Sequence, residues 1–173
     1  SVIIERFNSV AIDARGGNDL ITTDDLRNFA SDYPTYEPNN FYFSILGGDG
    51  QDTIQTSSAA DPYIGFELHG GEGNDTLQLP ASLTEILGTS IDTNSAFGDA
   101  GDDSIIGGSA SETLSGGSGN DSILGGSGED TLLGEAGDDT LNGNADEDLL
   151  DGGDGNDQLI GGGSDDVLYG MAG

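Results

Sequence analysis

From Gly98 the chain runs in nines without a gap: GDAGDDSII, GGSASETLS, GGSGNDSIL, GGSGEDTLL, GEAGDDTLN, GNADEDLLD, GGDGNDQLI, GGGSDDVLY, and then GMAG. The eighth position of each full unit is aliphatic, at Ile105, Leu114, Ile123, Leu132, Leu141, Leu150, Leu159 and Leu168. The sixth is acidic in all of them, aspartate everywhere except Glu112. One aliphatic residue per nine cannot build a core alone, but stacked copies build a continuous column. A fixed period of this length therefore demands an all-β solenoid before any single element is assigned. Positions seven to nine, often Ser or Thr followed by an aliphatic, read as a short strand whose eighth side chain turns inward.

The same phrase occurs upstream. GGDGQDTIQ at Gly47–Gln55 and GGEGNDTLQ at Gly70–Gln78 are full matches. ARGGNDLIT at Ala14–Thr22 is degenerate, keeping Gly17, Asp19 and Ile21 at positions four, six and eight. The later copies each follow a strand-like segment: FYFSIL, YIGFELH and, more weakly, SIDTNSAF. The simplest organisation is one continuous domain, with 98–173 regular and 1–97 made of larger coils. In those coils one loop grows into inserts such as TDDLRNFASDYPTYEPNN and LPASLTEILGT. Within them DLRNFASDY and PASLTEILG could form short helices lying over one edge. A separate small β domain for 1–97 is the alternative. Tyr33, Tyr36, Phe41, Tyr42 and Phe43 read as core of the insert rather than as an exposed binding patch.

Glycines at one, two and four open backbone conformations closed to other residues and let carbonyls approach a common point. An aspartate two residues before the core residue points to the same side of the strand, at the inner rim of the turn. Carbonyl and carboxylate oxygens in a flexible loop suit a hard divalent cation, and favour Ca2+ over Mg2+. The candidate carboxylate ligands are Asp19, Asp52, Asp75, Asp103, Asp121, Asp130, Asp139, Asp148, Asp157 and Asp166. Candidate loop donors at the first position are Gly47, Gly70, Gly98, Gly116, Gly125, Gly134 and Gly152. Those at the third are Asp49, Glu72, Ala100, Ser118, Ser127, Ala136 and Asp154, and those at the fourth Gly101, Gly119, Gly128, Gly137 and Gly155. The fifth-position residues Asn18, Asn74, Asn120 and Asn156 read as holders of a positive-φ turn.

Composition supports the cation. Three Lys and Arg stand against 33 Asp and Glu, a formal charge of −30. A compact body so charged repels itself unless cations bind. Nucleic acid and anionic membrane are poor partners, since both need positive charge on the protein. No cysteine is present, which removes disulfides and thiolate sites, and a single histidine, His69, makes a nitrogen-ligated zinc site a poor reading. No apolar run approaches the roughly 20 residues of a spanning helix, and SVIIERFNSV is not a signal peptide. Both ends read as cuts from something longer, or as those of a mature fragment. Thirty-one glycines and low hydrophobicity would suggest disorder, but acidic coil has no need of a period.

Catalysis finds little support. No Gly-x-Ser-x-Gly elbow and no His-Glu-x-x-His motif occurs, and His69 reads as an exposed or half-buried strand residue. Acidic pairs such as Asp102–Asp103 and Asp138–Asp139 recur with the period, which marks them as structural rather than as one acid–base pair.

The units resemble the Gly-Gly-x-Gly-x-Asp-x-aliphatic-x nonapeptides of the RTX (repeats-in-toxin) family, closely over Gly98–Gly173 and in three isolated copies upstream. The resemblance implies a right-handed parallel β-roll with two nonapeptides per turn. It further implies several Ca2+ ions, each between a loop and the loop eighteen residues later. Family members are secreted, usually by a one-step (type I) system reading a C-terminal signal, and no such signal is visible here.

Sorting units by edge exposes a difference. The units at Gly98, Gly116, Gly134 and Gly152 keep glycine at four and aspartate at six. On the other edge the fourth residues are Ala110, Gly128, Asp146 and Ser164, and Glu112 stands at six. The expectation is one well-occupied calcium edge, running through Asp19, Asp52, Asp75, Asp103, Asp121, Asp139 and Asp157, and one weaker or partly empty edge. The expected function is a non-enzymatic, extracellular calcium-binding module of a bacterial protein that folds on Ca2+. Two uses stay open: a structural piece of a surface layer, filament or adhesin that can self-associate end to end, and a secretion and folding module of a larger toxin, protease or lipase.

Overall fold

The computed structural model describes residues 9–23, 41–56, 64–81 and 94–171. They form two parallel sheets and, among the described residues, no helix. The eight-stranded sheet contains β1 (Ser9–Asp13), β3 (Phe41–Asp49), β5 (Ile64–Glu72), β7 (Asn94–Ala100), β9 (Glu112–Ser118), β11 (Thr131–Ala136), β13 (Leu149–Asp154) and β15 (Val167–Tyr169), in that order. The seven-stranded sheet contains β2 (Leu20–Thr22), β4 (Thr53–Gln55), β6 (Thr76–Gln78), β8 (Ser104–Ile106), β10 (Ser122–Gly126), β12 (Thr140–Asn144) and β14 (Gln158–Gly162), again in chain order. The chain alternates between sheets, so each strand pairs with the strand two before and two after it. This is a parallel β-roll.

Register follows the repeat. Ile105, Ile123, Leu141 and Leu159 are direct partners on one sheet, and Ala96, Leu114, Leu132, Leu150 and Leu168 on the other. From Ile105 to Leu150 every eighth-position side chain is buried. The same columns continue upstream through Leu77, Ile54 and Ile21, and through Leu68 and Ile45. A coil is 33, 23 and then 28 residues long between Asp19, Asp52, Asp75 and Asp103, and 18 thereafter. Insertions lengthen the upstream coils without moving the register.

Several strands are longer than the expected triplet. β9, β11 and β13 pass through positions seven to nine and on into the glycines of the next unit, because each coil's backbone keeps pairing with the next as the chain bends. Phe43 is buried in the core of the roll itself, stacked on Phe66 with ring centroids 5.7 Å apart, rather than in an insert. Tyr33, Tyr36 and both expected helices, apart from Pro80 and Ala81, lie outside the described residues.

His69 is a half-buried strand residue on the outer face of β5. Its ring stacks on Phe97 at 4.9 Å, and its nitrogens lie 3.5 Å from Glu67 and 3.3 Å from Asp99. No helix among the described residues is long and apolar enough to cross a membrane.

Candidate metal centre

The sixth-position acids line both bends of the roll. On one bend the backbone N–H of Asp19 donates to Asp52 Oδ1 (2.8 Å), that of Asp52 to Asp75 (2.7 Å), and that of Asp75 to Asp103 (2.7 Å). The series continues from Asp103 to Asp121, Asp139 and Asp157 at 2.8, 2.8 and 3.0 Å. All seven acids expected on this edge therefore form one ladder, in which each carboxylate uses one oxygen to hold the previous coil. The opposite bend carries a shorter ladder, from Glu112 N–H to Asp130 and on to Asp148 and Asp166 (2.9, 2.9 and 3.0 Å).

In all of these aspartates but Asp157 and Asp166 the second oxygen is buried without a partner. Oδ2 of Asp19, Asp52, Asp75, Asp103, Asp121, Asp130, Asp139 and Asp148 is buried and accepts nothing. Such an atom is costly to bury alone, on the order of 1–3 kcal/mol and more when charged. Burial accordingly pushes the carboxyls of Asp75, Asp139 and Asp148 up, against the opposing effect of the bonds they accept from Asp52, Asp121 and Asp130. Asp103 is raised to about 7 and Asp121 to about 6 by burial first, then by the like charges of their neighbours in the ladder. Asp130 is raised to about 8 by burial and by the Glu112 charge beside it, and Glu112 is itself raised by burial.

First-position glycines make the space for these oxygens. A Cβ on Gly125 would lie 2.6 Å from Asp130 Oδ2 and 2.8 Å from the Gly143 carbonyl oxygen of the next coil. Gly47, Gly70, Gly98, Gly116, Gly134, Gly143, Gly152 and Gly161 are likewise closed to a Cβ by the Oδ2 of their own sixth residue. Carboxylate and carbonyl oxygens thus converge on Gly47, Gly70, Gly98, Gly125, Gly134 and Gly143. Their mutual repulsion is what a bound cation relieves. Among the described residues no three acidic or imidazole side chains form a metal-binding group, and the oxygens gathered at these glycines are a carboxylate from the same loop and carbonyls. An all-oxygen set of this kind fits Ca2+.

The positive-φ residues stand at the second and fourth positions, not the fifth. Gly117 has φ 107° and Gly119 φ 134°, and a Cβ on Gly119 would strike the Gly101 carbonyl one coil earlier. Asn18, Asn74, Asn120 and Asn156 do not have positive φ, which corrects the turn role expected for them. Their side chains form a second, exposed ladder instead. Asn74 Oδ1 accepts from Asp102 N–H and Asp102 Oδ1 from Asn120 N–H. Asn120 Oδ1 in turn accepts from Asp138 N–H, and Asp138 Oδ1 from Asn156 N–H. The Asn156 backbone and side-chain donors hold the Asp138 carboxyl below its ordinary value. Sequence reasoning missed this clamp. Its only trace was the Asn/Asp alternation at position five.

The fourth position explains why departures fall on one edge. At Gly101, Gly119, Gly137 and Gly155 φ lies between 134° and 145°, open only to glycine. On the other edge Asp146 and Ser164 hold φ 76°, which a side chain tolerates at modest cost. Asp146 also accepts from Gly128 N–H at 3.0 Å. Those two loops keep a positive φ at the fourth position despite their sequence. Of the third-position donors, Asp49, Glu72, Ala100, Ser118, Ala136 and Asp154 sit at strand ends entering the first bend, and Ser127 at the second.

The family model for the RTX calcium-binding nonapeptide repeat (four copies) matches residues 67–78, 89–123, 106–141, 124–159 and 142–173. No curated protein and no solved structure matches the chain. The matched segments span the regular coils whose acid ladders and glycine cradles are described above. The chain belongs to the RTX calcium-binding nonapeptide-repeat family and is a calcium-binding β-roll.

Proposed function

We propose that this chain is an extracellular calcium-folded module, a structural part of a secreted or cell-surface bacterial protein, with no catalytic role of its own. The observation that carries it is the row of buried, unpartnered Oδ2 atoms at Asp19, Asp52, Asp75, Asp103, Asp121, Asp130, Asp139 and Asp148. A fold that concentrates anionic oxygens in its bends is poorly stable until they are neutralised. Bound Ca2+ supplies two positive charges and accepts several oxygen donors at once. Asp52, Asp75, Asp103, Asp121, Asp139 and Asp157, with the carbonyls of the first, third and fourth loop residues, hold the ions of one edge. Asp130 and Asp148 hold those of the other, and Asp19 and Asp166 end the two rows. Because the unfolded chain has no such cradles, the binding free energy is folding free energy.

Such a chain can remain extended where calcium is scarce and set where it is millimolar, which suits export followed by folding outside. Residues 1–97, as larger coils, and 98–173, as the regular roll, act as one continuous solenoid domain, a reading supported by the unbroken ladder from Asp19 to Asp157. Self-association end to end extends the same pairing between copies. Crystals grown in calcium and measured for anomalous scattering test the site: peaks beside the sixth-position aspartates support it, and their absence rejects it. Sedimentation tests the use. Assemblies that form in calcium and dissolve in EGTA support the structural role, whereas a monomer at all concentrations favours the second reading, a folding and secretion module of a larger enzyme or toxin.

A further inference from the structure

Among the first-position glycines of the regular coils, Gly107 is the exception. The nearest atoms to a Cβ there are those of the Gly125 carbonyl and Leu114 Cδ1 at 3.2 Å, with no carboxylate oxygen closer than these. The Glu112 side chain, one methylene longer than its counterparts, has passed over Gly107 and lies 3.3 Å from a Cβ placed on Gly108. There Oε2 accepts from Gly108 N–H at 3.1 Å and Oε1 from Ala110 N–H at 3.2 Å. Glu112 is buried, with 3% of its surface exposed, yet neither of its oxygens is orphaned. The backbone has changed with it: Gly108 and Ala110 lack the positive φ found at Gly126 and Gly128, at Asn144 and Asp146, and at Gly162 and Ser164.

We infer that the Glu112 carboxylate takes the place of a cation in the Gly107–Glu112 loop and ends the ion row of that edge, so that this loop binds no calcium. The inference rests on the calcium reading of the other loops. Its physical basis is the direction of the loop dipoles. A loop that turns N–H groups inward onto an anion presents positive charge where a cation would sit. What lies upstream agrees. The column that holds Asp166, Asp148, Asp130 and Glu112 passes next to Asn94, whose Oδ1 accepts from Phe66 N–H, and then to the stacked Phe66 and Phe43. The Asn94 amide favours the Glu112 charge by proximity, although its Nδ2 makes no well-formed hydrogen bond. The first-position column likewise changes from glycine to Leu79, Thr56 and Thr23. On this edge the roll is built by ions below Glu112 and by apolar packing above it, and Glu112 is the joint.

Anomalous diffraction from the wild-type chain in calcium is the direct test. Peaks at the Gly125 and Gly143 loops with none at Gly107–Glu112 support the inference, and a peak at Gly107–Glu112 overturns it while leaving the calcium reading intact. Peaks nowhere overturn both. As an independent measurement, the double variant A110G/E112D restores the repeat and is expected to bind one more calcium ion per chain than wild type, counted by elemental analysis after desalting. An unchanged count overturns the role given to Glu112.

Discussion

At the residue scale each sixth-position aspartate performs two tasks with two atoms. Asp121 Oδ1 holds Asp103 N–H, and Asp121 Oδ2 stands buried and unpartnered. Asn at this position keeps an oxygen for the first task and removes the charge from the second. Asp121→Asn is therefore expected to weaken calcium binding tenfold or more while leaving the melting point in EGTA at acidic pH unchanged or higher. Calcium titration and thermal melting check both halves, and a variant that lowers both equally would make Asp121 a packing residue only. Asn120, in the exposed ladder, is expected to behave differently. Asn120→Ala removes the bond accepted from Asp138 N–H and costs about 0.5–1.5 kcal/mol at saturating calcium, by chemical denaturation, without changing the ion count.

At the scale of strands and ladders, much was legible because the repeat carries its own register. The eighth-position aliphatics from Ile105 to Leu150 and the sixth-position aspartates stand where the nines place them, whereas Leu168, at the end of its column, is exposed; the upstream coil lengths follow from the spacing of GGDGQDTIQ and GGEGNDTLQ. The exposed Asn/Asp ladder was not legible, since its bonds join residues a coil apart and only the stacked backbone decides which side chain meets which N–H. The kinship of Phe43, Phe66 and Asn94 with the acid column was hidden by coils of unequal length. Glu112 stood out as a departure on the weaker edge, but the place its longer side chain takes at Gly108 and Ala110 was not legible.

Two expectations belong to this scale. Leu141 lies fully buried between Ile123 and Leu159, so Leu141→Ala is expected to cost about 2–5 kcal/mol at saturating calcium, read by denaturant unfolding. The acid ladders set a pH dependence. Without calcium, folded Asp103, Asp121 and Asp130 titrate near 7, 6 and 8, above the ordinary carboxylate value of 3.8. Between those values the folded chain holds more protons than the unfolded one, so ion-free stability falls as pH rises through the window. Ion-free chain is expected to gain β structure on acidification from pH 8 to 5. In calcium the trend reverses, because protons and cations compete for the same oxygens. Circular dichroism across pH, with and without EGTA, reads both slopes.

For the whole molecule the governing features are a charge of −30 and a core made of stacked aliphatic columns. The aliphatic columns set the register but meet strong opposition from the acids stacked at both bends. On the proposed reading, neutralising the bends lets the columns close and the roll forms as a unit. Magnesium, smaller and slower to shed water, is expected to substitute poorly at equal concentration. The most direct test is far-ultraviolet circular dichroism at neutral pH in EGTA and in millimolar calcium. The account predicts a cooperative appearance of β structure on adding calcium and its loss on chelation; the same β signal in both would contradict it.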